Sequence, residues 1–187
     1  MITATQLARV MKCSEQKAAL WSPHISGAME LFGINTPLRI AAFLAQIGHE
    51  SGRLNYVREI WNPKQCPWQL RYEGRADLGN TQPGDGMKFL GRGLIQITGR
   101  ANNLACGAYL DLPLETKPEL LEEYVNAASS AAWFWSTHSC NKFADIGDID
   151  GVSDVINIGR KTARIGDSNG YADRLAIYER AKLVLSE

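Results

Sequence analysis

The sequence predicts a mainly α protein in which a loop-rich middle section separates two helical parts. Three observations point there. Apolar residues recur at helical spacing at Ile40, Phe43, Leu44 and Ile47, and again at Leu175, Ile177, Tyr178, Ala181 and Leu185. Helix-start signals precede the N-terminal pattern. Between the two parts, YEGRADLGNTQPGDGMKFLGR (Tyr72 to Arg92) has five glycines, one proline and little periodicity, and loops of that length inside a compact domain tend to be functional or mobile.

Taken in order, Thr3 followed by Gln6 forms a capping box that predicts a short helix through Met11. A second helix is expected from about Glu15 to Phe32, interrupted near Pro23. Thr36-Pro37 supplies an N-cap with proline at the first helical position, a strong start signal. At 100° per residue Glu50 then lies on the flank of the Ile40–Ile47 stripe, His49 points the other way, and Gly52 ends the helix. Prolines break Asn62 to Pro67. Helical patterns resume over Arg100–Leu110, Pro118–His138, Gly151–Ile156 and Tyr171–Leu185.

The 187 residues suit one domain, residues 1–187, with 45% hydrophobic and 21% charged residues. Twenty basic residues balance twenty acidic ones, so no long-range attraction to nucleic acid or an anionic membrane is expected, local basic patches at Arg71–Arg75 and Arg92–Arg100 notwithstanding. No window reaches the ~18 apolar residues of a membrane span, and the N-terminus reads as having no signal peptide. The expectation is a soluble monomer made in the cytoplasm. Cys13, Cys66, Cys106 and Cys140 form no CxxC pair and read as thiols, and with three dispersed histidines a zinc site is not expected.

Two glutamates nine residues apart, Glu50 and Glu59, are the first candidates for chemistry. Glycosidic hydrolysis needs a proton donor for the leaving oxygen and a second carboxylate across the sugar. A carboxyl at the edge of an apolar stripe is partly desolvated, which favours the proton-carrying form, whereas one on the next loop beside Arg58 stays ionised more easily. The alternative is a pair of ordinary solvated acids. A zinc peptidase motif HExxH fails because Arg53 stands where the second histidine belongs. GRGLIQITGR, Gly91 to Arg100, reads either as a short extended ligand-approaching piece or as a tight turn beside a buried strand. NTQPGDG, Asn80 to Gly86, is turn-forming and matches no phosphate loop. Trp133-Phe134-Trp135 reads as core, and Trp61, near Glu59, as the better cleft aromatic; Trp68 is a further sugar-stacking candidate.

GHES (Gly48–Ser51), YVRE (Tyr56–Glu59), DLGNTQPGDG (Asp77–Gly86), GRGLIQITGRANN (Gly91–Asn103) and VINIG (Val155–Gly159) occur in an order that resembles glycoside hydrolase family 19 over about residues 15 to 185. Within that family the chain is most similar to small phage and prophage endolysins of Gram-negative hosts. The resemblance implies a lysozyme-like superfamily fold, two helical lobes flanking a catalytic cleft, with no metal or organic cofactor. It implies Glu50 as general acid, Glu59 as the base that activates water for attack with inversion, and Thr98 as the residue orienting that water. Gln96, Asn102 and Asn157 fall at sugar-binding positions, and Glu73 competes with Glu59 for the base role. The chain departs from the family at Asn102-Asn103, where asparagine-tyrosine is usual, and in INIGRKTARIGDSNG, which carries an insertion before Asp173-Arg174.

The implied activity is endo-cleavage of β-1,4 bonds in peptidoglycan by an endolysin that reaches the wall through a holin lesion or a secretion system. A chitinase acting on GlcNAc polymers, a noncatalytic glycan-binding module and a secreted antibacterial effector are the alternatives.

Overall fold

The computed structural model describes residues 1–187. Nine α-helices run α1 Ala4–Met11, α2 Glu15–Leu31, α3 Pro37–Glu50, α4 Asp85–Lys88, α5 Arg100–Leu110, α6 Tyr124–Thr137, α7 Cys140–Ala144, α8 Ile149–Ile158 and α9 Tyr171–Leu185. The expected caps form. Thr3 and Gln6 close a reciprocal capping box, Ser14 accepts from Lys17 N at 3.2 Å, and Thr36 accepts from Arg39 N at 3.3 Å ahead of Pro37. Each satisfies a backbone donor that a helix start leaves open.

The core is built on α3. Every residue from Ala41 to Gly48 is buried, and α3 packs most extensively along α9, while α2 packs on α1 and α6. Phe43 meets Trp135 edge-on at 5.4 Å, and Trp133 and Trp135 are core residues as expected. Phe134, at their centre in sequence, turns outward and stacks on His138 at 3.8 Å.

Two expectations are corrected and one open alternative is decided. Pro23 does not interrupt α2, which runs through it; burying Trp21, Ile25, Ala28 and Met29 on one side outweighs the roughly 3 kcal/mol of an interior proline. Of the two readings of Gly91–Arg100 the tight turn is the one that forms, though no strand lies beside it. Arg92 N donates to Ile97 O at 3.2 Å and Ile97 N returns to Arg92 O at 2.7 Å, with Gln96 at φ +60° in between. Its apparent alternation fails because Leu94, Ile95 and Ile97 are all buried; Leu94 N donates to Ala127 O of α6 at 3.4 Å, so the turn is folded into the core. The run Pro118–His138 divides into a 3-10 turn, Pro118–Glu122, and α6, parted by the extended Glu123.

The middle section is less bare than expected. A 3-10 helix spans Pro67–Tyr72, another Ala76–Leu78, and α4 adds one turn. No helix is long and apolar enough to cross a membrane. The four cysteines are free thiols, and burial pushes Cys106 and Cys140 up to about 12.

Candidate active site

The candidate residues fall into two clusters, here termed walls. The first is the end of α3 against the start of α9. Glu50 is the last residue of α3, and its Oε1 accepts from the guanidinium of Arg174. Arg174 is 1% exposed and spends its other nitrogens on Gln46 Oε1 at 2.5 Å and Asn169 O at 3.1 Å. Gln46 in turn donates to Ser153 Oγ of α8 at 3.1 Å. Glu50 is therefore oriented by the buried cation of α9 rather than by an apolar edge alone, and its Oε2 takes no hydrogen bond.

The neighbouring His49 is fixed from the same helix. Its Nδ1 pairs with Asp173 Oδ2 at 2.7 Å, and Arg53 reaches both oxygens of Asp173, at 2.5 and 3.0 Å. Arg53 first, then His49, hold the Asp173 carboxyl down at about 2 against the opposing effect of burial. Gly170 caps α9 at φ +70°, with the His49 ring so close that a Cβ there would lie 2.0 Å from Cε1. Only glycine fits between α9 and that ring.

The inserted loop, residues 159–170, is folded onto α8 by buried carboxylates. Lys161 Nζ contacts Asp150 and stands 3.6 Å from Asp154. Thr162 N donates to Asp154 Oδ2 at 2.9 Å and Gly166 N to Asp150 Oδ1 at 2.7 Å. The loop ends at Asn169, whose N–H donates to Asn157 Oδ1 at 2.8 Å and whose carbonyl receives Arg174. Asn157 thus belongs to the Glu50 wall, with its amide oxygen engaged by the backbone.

The second wall is built around Gly91. Glu59 N donates to Gly91 O at 2.8 Å, and Gly91 N returns to Glu59 Oε2 at 3.3 Å. A Cβ on Gly91 would meet Gln96 Oε1 at 2.9 Å and Thr98 Oγ1 at 3.2 Å, so Glu59, Gln96 and Thr98 converge on one glycine. Thr98 Oγ1 donates to Gln96 O at 2.8 Å, and Asn102, one turn into α5, donates to Thr98 O at 2.8 Å. Gln69 Nε2 donates to Glu59 Oε1 at 2.9 Å. The Tyr72 hydroxyl is pushed up by burial and by the adjacent Glu59 charge.

Glu73 is drawn elsewhere: both its oxygens are taken by backbone donors, Gly84 N at 2.6 Å and Gly86 N at 2.8 Å, so it anchors the turn at the start of α4. Trp61 is half-buried in the loop after Glu59. No hydrogen bond or ion pair joins Glu50 to Glu59. No group of three or more His, Cys, Asp or Glu side chains is arranged to hold a metal ion.

Sequence reasoning missed Arg174, Gln46, Gln69 and Tyr72. Gln46 had a readable signal, being a polar residue inside an apolar run and one helical turn before Glu50 on the same face. Gln69 had none.

Comparison with known proteins completes the picture. No protein-family model matches the chain. A glycosyl hydrolase family 19 domain-containing protein of Haemophilus influenzae is 31% identical over 180 residues, covering 82% of this chain and 84% of its own. An endochitinase of Arabidopsis thaliana is 39% identical over 98 residues, covering 52% of this chain and 31% of its own, so the chain spans under a third of that plant protein. In fold, chitinase C from Streptomyces griseus HUT6037 superposes with a TM-score of 0.74 at 19% identity, over 99% of this chain and 76% of that one. A bacterial family 19 chitinase does so with 0.70 at 21% identity, over 98% and 94%. The helical architecture is thus that of these chitinases, and the chain, a glycosidase, belongs to glycosyl hydrolase family 19.

Proposed function

We propose that the protein is an endo-acting, inverting glycosidase that cuts β-1,4 bonds between N-acetylated sugars, with peptidoglycan as its substrate. The observation that carries this is a pair of clusters: Glu50 held by Arg174 in one, Glu59 gathered with Gln96 and Thr98 around Gly91 in the other. Glu50 Oε2, the oxygen Arg174 leaves free, carries the proton to the leaving glycosidic oxygen. Glu59 takes a proton from a water that attacks the anomeric carbon on the opposite face, as inversion requires. Thr98 orients that water, and Gln96, Asn102, Asn157 and Trp61 contact the sugars. Glu73 is the poorer base, because both its oxygens already accept backbone hydrogen bonds.

The resemblance of the sequence motifs to those of small endolysins supports peptidoglycan, and with it action at the cell wall after passage through a holin lesion or a secretion system. Chitin is the second reading, supported by the endochitinase names of the plant relatives. Mass spectrometry of borohydride-reduced products from purified peptidoglycan and from chitin oligomers separates the two. Reduced muramic acid at new ends means a muramidase, and reduced glucosamine means cleavage of the other bond. Turnover of chitin alone replaces peptidoglycan as substrate. Glu50→Gln should abolish product on either polymer, and NMR of the first product should show the α-anomer. Persisting turnover removes Glu50 as the acid, and a β-anomer removes the inverting pair.

A further inference from the structure

Glu59 has no helix or sheet to hold it. The segment around it is irregular, with one isolated bridge between Arg58 and Arg92. A carboxylate on such a segment samples many rotamers, yet a base must present one lone pair to one water. The Gly91 N–H holds Oε2 through a long 3.3 Å bond, and Gln69 holds the other oxygen. It lies on the 3-10 helix Pro67–Tyr72 between Trp68 and Leu70, which are 54% and 60% exposed, while Gln69 itself is 1% exposed. An amide is the least expected residue for the inward position of a surface helix, since its burial is costly without partners.

Its partners account for the whole amide. Nε2 donates to Glu59 Oε1 at 2.9 Å and to Ile60 O at 2.8 Å, while Oε1 accepts from Asn62 N at 2.7 Å. One side chain therefore fixes both the carboxylate and the irregular segment that carries it. The chemistry of the donor matters as well. Glu50 is gripped by a full positive charge, whereas Glu59 is gripped by a neutral N–H. A cation in that place would hold the carboxylate equally well but drain its basicity; an amide orients it and leaves it able to accept a proton.

We propose that Gln69 is the positioning residue of the base: it fixes Glu59 Oε1 with a neutral donor so that the remaining lone pairs face the attacking water. This rests on the reading of Glu59 as base. The test uses the full chain with purified peptidoglycan and an N-acetylglucosamine hexamer. Gln69→Leu keeps the volume and removes the donor. It should lower kcat at least tenfold while KM stays within about twofold. Gln69→Glu keeps the shape but sets a second carboxylate against the first. It should move the acid limb of the kcat/KM profile to higher pH by at least one unit, a displacement that a purely structural role would not cause.

Folded variants with wild-type kcat and an unmoved acid limb overturn the proposal, and so does loss of the fold in both, which would make the amide structural. Glu59→Ala separates the two levels. If it hydrolyses at the wild-type rate, the base assignment itself falls. If it is inactive while the Gln69 variants behave as wild type, only the role of Gln69 falls.

Discussion

Glu59 and Gly91 hold each other through two hydrogen bonds, one from the glutamate backbone to the glycine carbonyl at 2.8 Å and one from the glycine N–H to the carboxylate at 3.3 Å. The glycine's other face lies against Gln96 and Thr98. Gly91→Ala therefore introduces no backbone strain, since this glycine is not among those at positive φ, but drives a methyl into the Gln96 amide and the Thr98 hydroxyl. Hydrolysis should fall at least tenfold while the thermal midpoint drops by only a few degrees, measured by product release and calorimetry on the same preparation.

Arg174 is expected to be intolerant even of lysine. Its guanidinium divides among Glu50, Gln46 and Asn169 O in a planar fork that an ammonium cannot reproduce. Arg174→Lys should lower kcat/KM ten- to a hundredfold. Arg174→Ala, which strips a buried pair of one partner, should cost about 3–5 kcal/mol in urea unfolding.

Asp173 ties acid stability to the same wall. Its folded value, about 2, lies below an unfolded value of about 3.9. The contribution is thus fully present above the unfolded value and is lost as pH falls through the folded one. Urea unfolding of Asp173→Asn at a series of pH values should show a shallower loss of stability between about pH 4 and pH 2 than the wild type.

Lys161 stands among Asp148, Asp150 and Asp154, with Asp154 fully buried. Lys161→Met leaves those carboxylates without their countercharge. Because the lysine is 33% exposed, solvent screens part of the loss, and about 2 kcal/mol is expected. Hydrogen exchange should show residues 159–170 opening before α8 does.

The helices were legible where local chemistry decides them. Thr3 with Gln6 and Thr36 with Pro37 specify helix starts within a few residues of chain, and the 3.6-residue stripe of α3 and α9 needs no tertiary information. Pro23 was misread, and Gly91–Arg100 left open, because burial against distant helices overrides local preference there. The site divides the same way. The candidates Glu50 and Glu59 are singled out by the family motifs that carry them rather than by spacing alone, whereas Gln69 and Arg174 become meaningful only once a loop and α9 are folded against them; neither relation is local in sequence.

The Glu50–Arg174 contact spans 124 residues of chain. A ribosome that has delivered α3 has made the carboxylate but not the guanidinium that aims it, and α3 stays without its most extensive partner until α9 emerges. Nascent chains and fragments that lack α9 therefore carry the Glu50 carboxylate without the guanidinium that orients it.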